Sequence, residues 1–259
     1  MPARIHPTAI IDAAAALADD VEIGPYAVIG PHVEIGAGSR VGAHTVITGH
    51  TRIGKHNVIS HFASVGEAPQ DKKYGGEPTR LEIGDNNTIR EFCTLNRGTV
   101  QDAGVTRIGN DNWIMAYVHI AHDCQIASHT IFANNAQLAG HVHVGDYAIL
   151  GGFTVVHQFC RIGAHSITGL STVVLQDVPP YVKVSANPAR PFGVNNEGLR
   201  RRGFGADSLA ALKRAYRTLY REGLTLDEAK AALAREAPAC AEVRVLLDFV
   251  SEPGRGLIR

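Results

Sequence analysis

One constraint dominates this chain: an apolar residue recurs at every sixth position. From Ile108 the series runs through Ile114, Ile120, Ile126, Phe132, Leu138, Val144, Leu150 and Val156 to Ile162 without a miss. The same step runs earlier through Ile5, Ile11, Leu17, Ile23, Ile29, Ile35, Val41, Ile47, Ile53, Ile59 and Val65. The next residue is usually small, as at Gly109, Ala121, Ala133 and Gly145. Strands alternate with period 2 and amphipathic helices with period 3.6, so neither accounts for a step of six. A chain that turns a corner every six residues does. Three such sides close a triangular coil of about 18 residues, each sixth side chain pointing inward, and a fixed short period of this kind marks a solenoid. Coils stacked about 4.8 Å apart then pair as parallel strands.

The period lapses at Asp71 and Glu77 and resumes at Ile83, Ile89 and Leu95. The intervening 67–80, EAPQDKKYGGEPTR, combines turn formers with charge and reads as an exposed loop. A second excursion, 97–107, shifts the register by one residue before the main run. Insertions in a solenoid map to loops that often build the binding surface. After Ile162 the pattern weakens through Thr168 and Val174, and Pro179, Pro180, Pro188 and Pro191 mark an exit from the prism. Helical periodicity follows. Asp207 is placed to cap a helix with Leu209, Leu212, Ala215, Tyr216, Leu219 and Tyr220 on one face. Thr225 and Glu228 form a capping box for a second, and 239–250 makes a third. The expectation is a β-prism over 1–192 and a helical domain over 193–259 that covers the last coil's strand edges. Parallel crossovers are normally right-handed, and the spacing does not decide the hand.

The 25 Lys+Arg and 25 Asp+Glu balance, which argues against nucleic acid as the partner. The four cysteines show no CxxC spacing, as expected of reduced thiols rather than a zinc ribbon. The N-terminus, with Asp12, Asp19 and Asp20, lacks the apolar run of a signal peptide, and no stretch approaches the length of a membrane span. A cytoplasmic protein is the expectation.

Residues 18 apart share a side of the prism. Ile120, Leu138 and Val156 form such a set, with His122, His141 and His157 beside them. This reading puts three imidazoles on one outer face, in reach of one small substrate. Imidazole titrates near neutrality and suits a general base acting on a hydroxyl. A three-histidine zinc enzyme on the same scaffold, of the γ-carbonic anhydrase kind, is an alternative. Rings rising about 4.8 Å per coil suit an extended substrate better than a tetrahedral ion. A non-catalytic structural β-helix is the other alternative.

Eight segments in order, IHPTAI, FASVGEAPQDKKYGGEPT, HIAHDC, ANNAQLAGHV, VHQFCRIGAH, QDVPPYV, PFGVNNEGLRRRGF and RGLIR, resemble the hexapeptide-repeat acyltransferases. Within them the chain is similar to the UDP-N-acetylglucosamine O-acyltransferase family of lipid A biosynthesis. The resemblance implies a mainly β fold, a left-handed parallel β-helix with C-terminal helices. It implies a homotrimer with sites between neighbouring prisms. It also implies transfer of an (R)-3-hydroxyacyl group from acyl carrier protein to the 3-hydroxyl of UDP-N-acetylglucosamine, with no cofactor and no metal.

By the same resemblance His122 is the general base, Asp123 orients it, and the Gly140 N–H meets the oxyanion. Gly140 equally fits a corner glycine required by the turn. His119, His141, His157 and Gln158 would contact substrate, and Gln70, Asp71 and Lys73 would reach over from a neighbouring subunit. Asn195, Glu197 and Arg202 fall in the nucleotide segment, and Arg161, Arg200 and Arg201 would face the acidic carrier protein. Leu170 stands where long-chain relatives tend to have glycine, which implies a shorter acyl chain. Asn96 and Pro188 replace histidines of some relatives and receive no role. Cys124 is expected to point away from His122, so the thioester is attacked directly.

Overall fold

The computed structural model describes residues 2–259. Each side of the coil is a strand of two to four residues, and strands one coil apart pair in parallel: Ile5 with Ile23, Ile11 with Ile29, Leu17 with Ile35. They stack into three sheets of 11, 9 and 8 strands. We call these face 1, opening with Arg4–Ile5, face 2, opening with Ile10–Ile11, and face 3, opening with Ala16–Leu17. Each side sends two residues inward, the hexad residue and the one two places before it. Val118 with Ile120 and Ala136 with Leu138 are fully buried pairs of this kind. Polar members of the inner set pair up the axis. Asn57 Oδ1 accepts from the Asn87 N–H at 2.9 Å, and Asn87 Oδ1 from the Asn112 N–H at 3.0 Å. The Asn57 and Asn87 side chains are therefore buried with partners.

The corners were not legible in the hexad alone. The third residue after many hexad residues adopts the left-handed conformation, with φ of 55° at Tyr26, 56° at Phe62, 65° at Tyr117 and 61° at His141. A side chain there costs about 1–2 kcal/mol relative to ordinary backbone. Stacking offsets part of it. Along the corner between faces 1 and 2, Tyr26, His44, Phe62, Phe92 and Tyr117 lie face to face with centroids 4.8 to 5.5 Å apart. That interval is the coil rise, and it is also a favourable ring separation.

The two excursions differ in length. Val58 pairs with Thr88, 30 residues on, so the first inserts 30 − 18 = 12 residues, two sides' worth. Thr94 pairs with His119, 25 on, so the second inserts 25 − 18 = 7.

The prism runs further than its prolines suggest. Ile162 bridges Val178, and Ile167 and Thr168 pair with Lys183 and Val184, so Pro179 and Pro180 are buried within a shortened coil. Proline lacks only an N–H, and a corner needs no ladder bond there. The strand Val182–Ser185 is then covered by an antiparallel strand, Arg190–Val194. Four helices follow: α1 (Asn196–Arg201), α2 (Ala206–Tyr220), α3 (Leu226–Glu236) and α4 (Ala241–Ser251). The Thr225–Glu228 capping box is present on α3. Asp207 does not cap α2. Gly205 holds that position, and Asp207 sits in the first turn, where its charge still favours the helix's positive end. No helix among the described residues is long and apolar enough to cross a membrane.

Candidate active site

The strand His119–Ile120 of face 2 leads into the corner with face 3, where Asp123 takes the left-handed position at φ 60°. Asp123 is only 1% exposed. Its Oδ1 accepts from the Thr99 N–H at 2.8 Å, and its Oδ2 from the Thr99 hydroxyl at 2.6 Å. The same Oδ2 lies 2.8 Å from Nδ1 of His122. Burial pushes the Asp123 carboxyl pKa up, but the hydrogen bonds from His122 and Thr99 outweigh it and hold the group below its usual range. An ionised carboxylate can only accept, so Nδ1 of His122 carries the hydrogen. Its Nε2 keeps the lone pair that a base needs.

Gly140 lies one coil above His122. A Cβ at this glycine would stand 2.5 Å from Cε1 and 2.7 Å from Nε2 of the imidazole. Its backbone is not in the left-handed region, so the histidine ring, not the turn, excludes every larger residue. The Gly140 N–H meets no acceptor among the described residues. His141 follows, stacked on Phe159 at 4.4 Å and perpendicular to His122 at 5.1 Å. Its Nδ1 is 2.8 Å from Asp102 Oδ2, and its Nε2 is 3.8 Å from Asp123 Oδ2. Thr99 and Asp102 both come from the second excursion, and sequence reasoning singled out neither. The available signal was the odd seven-residue insertion immediately before the histidine-bearing coil.

His157 does not join this group. His122 stands two places after its hexad residue, His141 three and His157 one, so the three occupy different points of the corner. Phe159 takes the place above His141, and Nδ1 of His157 turns to the Gln158 carbonyl at 3.1 Å. Gln158 lies exposed above Gly140. His119 packs its Nδ1 against the Thr94 hydroxyl at 2.7 Å, and burial, then the charge of His122, lowers its pKa. Cys124 faces the core, where burial pushes its thiol up to about 12.

Gln70, Asp71 and Lys73 lie on the first loop, and the polar contacts of Asp71 and Lys73 stay within it. The Lys73 N–H donates to Asp71 Oδ1 at 3.0 Å. Arg97 pins this loop through the Gly66 carbonyl at 2.6 Å and the Tyr74 hydroxyl at 3.0 Å. The buried Asn96 amide donates to the Ala68 carbonyl at 3.0 Å, an architectural contact. Asn195 caps α1 through the Gly198 N–H and donates to the His165 carbonyl at 3.0 Å. Glu197 pairs with Arg201, and the Arg202 guanidinium lies 4.9 Å over the Tyr147 ring. Arg200 is exposed. Arg161 is not free to face a partner. Asp177 at 2.9 Å and Glu252 at 2.8 Å hold it over the Phe249 ring, where it ties α4 to the prism. Pro188 follows a cis peptide bond near the exit strand. Leu170 is 70% exposed at the corner of faces 1 and 2, its Cδ1 beside Gly152.

His122, Asp123 and His141 could offer one ligand atom each within 4.8 Å of one another. Both Asp123 oxygens are already engaged by Thr99 and His122, so the cluster serves better as a hydrogen-bonded acid–base group. A cavity of about 920 Å³ between face 3 and α4 contains none of these histidines. Its walls carry paired charges such as Arg107 with Glu82, and we give it no part in the chemistry.

Comparison with known proteins identifies the family of the chain. Residues 177–258 match the family model described as UDP-N-acetylglucosamine O-acyltransferase, domain 2. Residues 2–37, 15–49 and 106–140 match the bacterial transferase hexapeptide model. The chain is 70% identical to the acyl-[acyl-carrier-protein]–UDP-N-acetylglucosamine O-acyltransferase of Thiobacillus denitrificans, over 99% of this chain and 100% of that one. It is 61% identical to the protein of the same name from Janthinobacterium sp. (strain Marseille), over 98% and 99%. Among solved structures, LpxA from Acinetobacter baumannii superposes with a TM-score of 0.97 at 50% identity, covering 98% of this chain and 99% of that one. The enzyme from Francisella novicida gives 0.97 at 42%, covering 98% and 94%. The coil is a left-handed parallel β-helix, the hand the resemblance implied. The chain therefore belongs to the family of acyl-[acyl-carrier-protein]–UDP-N-acetylglucosamine O-acyltransferases.

Proposed function

We propose that the protein moves an (R)-3-hydroxyacyl group from acyl carrier protein to the 3-hydroxyl of UDP-N-acetylglucosamine, the opening step of lipid A synthesis, in the cytoplasm and without a cofactor. The observation that carries this is the Asp123–His122 pair beneath an unengaged Gly140 N–H. Nε2 of His122 takes the proton of the sugar hydroxyl as its oxygen attacks the thioester carbonyl carbon. Negative charge develops on the carbonyl oxygen, where the Gly140 N–H can donate, and such donors act where charge appears in the transition state. The C–S bond then breaks, and the imidazolium returns its proton to the leaving thiolate. Asp123 stabilises that imidazolium and fixes the ring. Direct attack suits the site because Cys124, the thiol next in sequence, is buried and protonated.

Two further features support a homotrimer with composite sites. Val58, Trp113, Ile131, Ile149 and Ile167 run as an apolar stripe up the outside of face 1, broken by Thr88. A band of that extent on a folded surface is suited to a neighbouring prism. Gln70, Asp71 and Lys73, whose loop hydrogen bonds stay local, in this reading reach the site of a neighbouring subunit. In this reading the prism, 1–192, carries the chemistry. The helical end, 193–259, takes the nucleotide near Asn195, Glu197 and Arg202, and docks the carrier with the exposed Arg200 and Arg201. The acyl chain runs across face 2 from His122 towards Leu170. That residue lies three coils above Ala116, about 14 Å along the axis, and limits the chain length.

The test is turnover of UDP-N-acetylglucosamine with a panel of (R)-3-hydroxyacyl carrier proteins. His122→Ala is expected to lose about 10²- to 10⁴-fold in kcat, the usual share of a general base. An undiminished rate would remove His122 from the mechanism. Leu170→Gly is expected to shift the preferred donor to longer chains. An identical preference profile would end the length assignment.

A further inference from the structure

The second excursion does more than fill a gap between coils. It places two side chains three residues apart, Thr99 and Asp102, against the two parts of the acid–base cluster. Thr99 holds both oxygens of Asp123. Asp102 reaches His141, with 2.8 Å between Oδ2 and Nδ1. Asp102 is itself fixed. The Ala103 N–H donates to its Oδ1 at 2.8 Å, and its backbone N–H donates to the Thr99 carbonyl at 3.3 Å. The Gly104 N–H closes on the same carbonyl at 3.1 Å. The carboxylate thus stands on a tight turn whose other end is anchored to Asp123.

We infer that Asp102 is a positioning residue for His141, and this rests on the acyl-transfer reading of the site. The carboxylate accepts the Nδ1 hydrogen of His141 and so fixes the imidazole as the Nδ1–H tautomer. Nε2 of His141 is then an acceptor, held 3.8 Å from the Asp123 carboxylate and beside the His122 ring. An acceptor so placed can take a hydrogen bond from a hydroxyl or amide N–H of the bound sugar and align its nucleophile with the base. The side chain of His141 is 14% exposed and that of Asp102 is 45% exposed. The pair therefore lies at the mouth of the site, and the contact has little part in holding the coil together. Phe159 above the His141 ring preserves its plane but leaves it free to flip end for end; the Asp102 carboxylate, at hydrogen-bond distance, decides which nitrogen carries the hydrogen.

The experiment combines steady-state kinetics with nitrogen-15 spectra of histidine-labelled protein. In the wild type His141 is expected as the Nδ1–H tautomer. In Asp102→Ala it should revert to the Nε2–H form that free imidazoles favour, and kcat/KM for the nucleotide sugar should fall about tenfold through misalignment. Asp102→Glu, which can reach the same nitrogen, should recover most of both. An unchanged tautomer in Asp102→Ala overturns the inference, whether or not activity falls, and so does an unchanged kcat/KM. His122→Ala run in parallel separates the cases. If it is inactive while Asp102→Ala is normal, only the role of Asp102 fails; if it is fully active, the assignment of the base to His122 fails first. If the wild type itself turns over no nucleotide sugar, the acyl-transfer reading fails.

Discussion

Two corners of the same prism carry rings and use them in opposite ways. Between faces 1 and 2, Tyr26, His44, Phe62, Phe92 and Tyr117 lie parallel, with interplanar angles of 16°, 8°, 2° and 13°. Between faces 2 and 3, His122 and His141 meet at 89°. The coil imposes the same rise on both, but His122 sits one place earlier in its corner than His141, so the two are not equivalent positions on successive coils. The second excursion adds to that difference. A ring with only rings above and below it maximises stacking. Where the second excursion inserts the Asp102 carboxylate and braces Asp123, a charge-assisted hydrogen bond is stronger than a stacking contact and dictates where the imidazole nitrogens point. Stability and chemistry thus both draw on the corners, and a loop braces the one that carries the acid–base pair.

That contrast can be broken at several points. The largest effect is expected for Gly140→Ala: a methyl 2.5 Å from the His122 ring must displace it. We expect kcat to drop about 100-fold, as misplacements near 1 Å do, with the melting temperature little changed. A normal rate would mean that the ring tolerates the shift and that the Gly140 contact is incidental. Phe62→Ala should do the reverse. It removes two stacked contacts, each worth about 0.5–1.5 kcal/mol, so denaturant unfolding should show a loss of about 1–3 kcal/mol with kcat unchanged. A loss of activity without a loss of stability would reverse the assignment of the two corners.

The smallest effect concerns a third column, His129, Tyr147, His165 and Tyr181, where burial holds the His165 pKa down at about 4 from 6.5. Between those values the unfolded chain binds a proton that the folded chain refuses. Stability is therefore full above pH 6.5 and falls as pH drops towards 4. Melting temperature against pH should show that slope, and His165→Phe, which keeps the stack, should flatten it. An equal slope in the variant would assign the acid sensitivity to other groups.

The prism was legible because one physical demand, an apolar side chain at each inward point, repeats without competition. Four readings went astray for identifiable reasons. Pro179 and Pro180 looked like a terminus because their missing N–H usually ends a strand, yet a corner does not use it. Asp207 looked like a cap, but the chain enters α2 two residues earlier at Gly205. His157 was grouped with His122 and His141 by nearness to the hexad, whereas orientation depends on the offset within it. Arg161 looked available because its partners Asp177 and Glu252 are remote in sequence. Thr99 and Asp102 escaped notice because their value lies in the turn they build, which no spacing rule encodes.

The contact between Gly140 and the His122 ring has a consequence for how substitutions in this protein combine. Proximity along the chain is a poor guide to proximity in energy; the side chain that decides what position 140 tolerates is 18 places away. Paired substitutions should accordingly be non-additive at intervals of 18, stretched to 25 or 30 wherever an excursion intervenes. Within the strands, adjacent numbers face opposite sides of the wall and should behave independently; the corner pair His122–Asp123 is the exception.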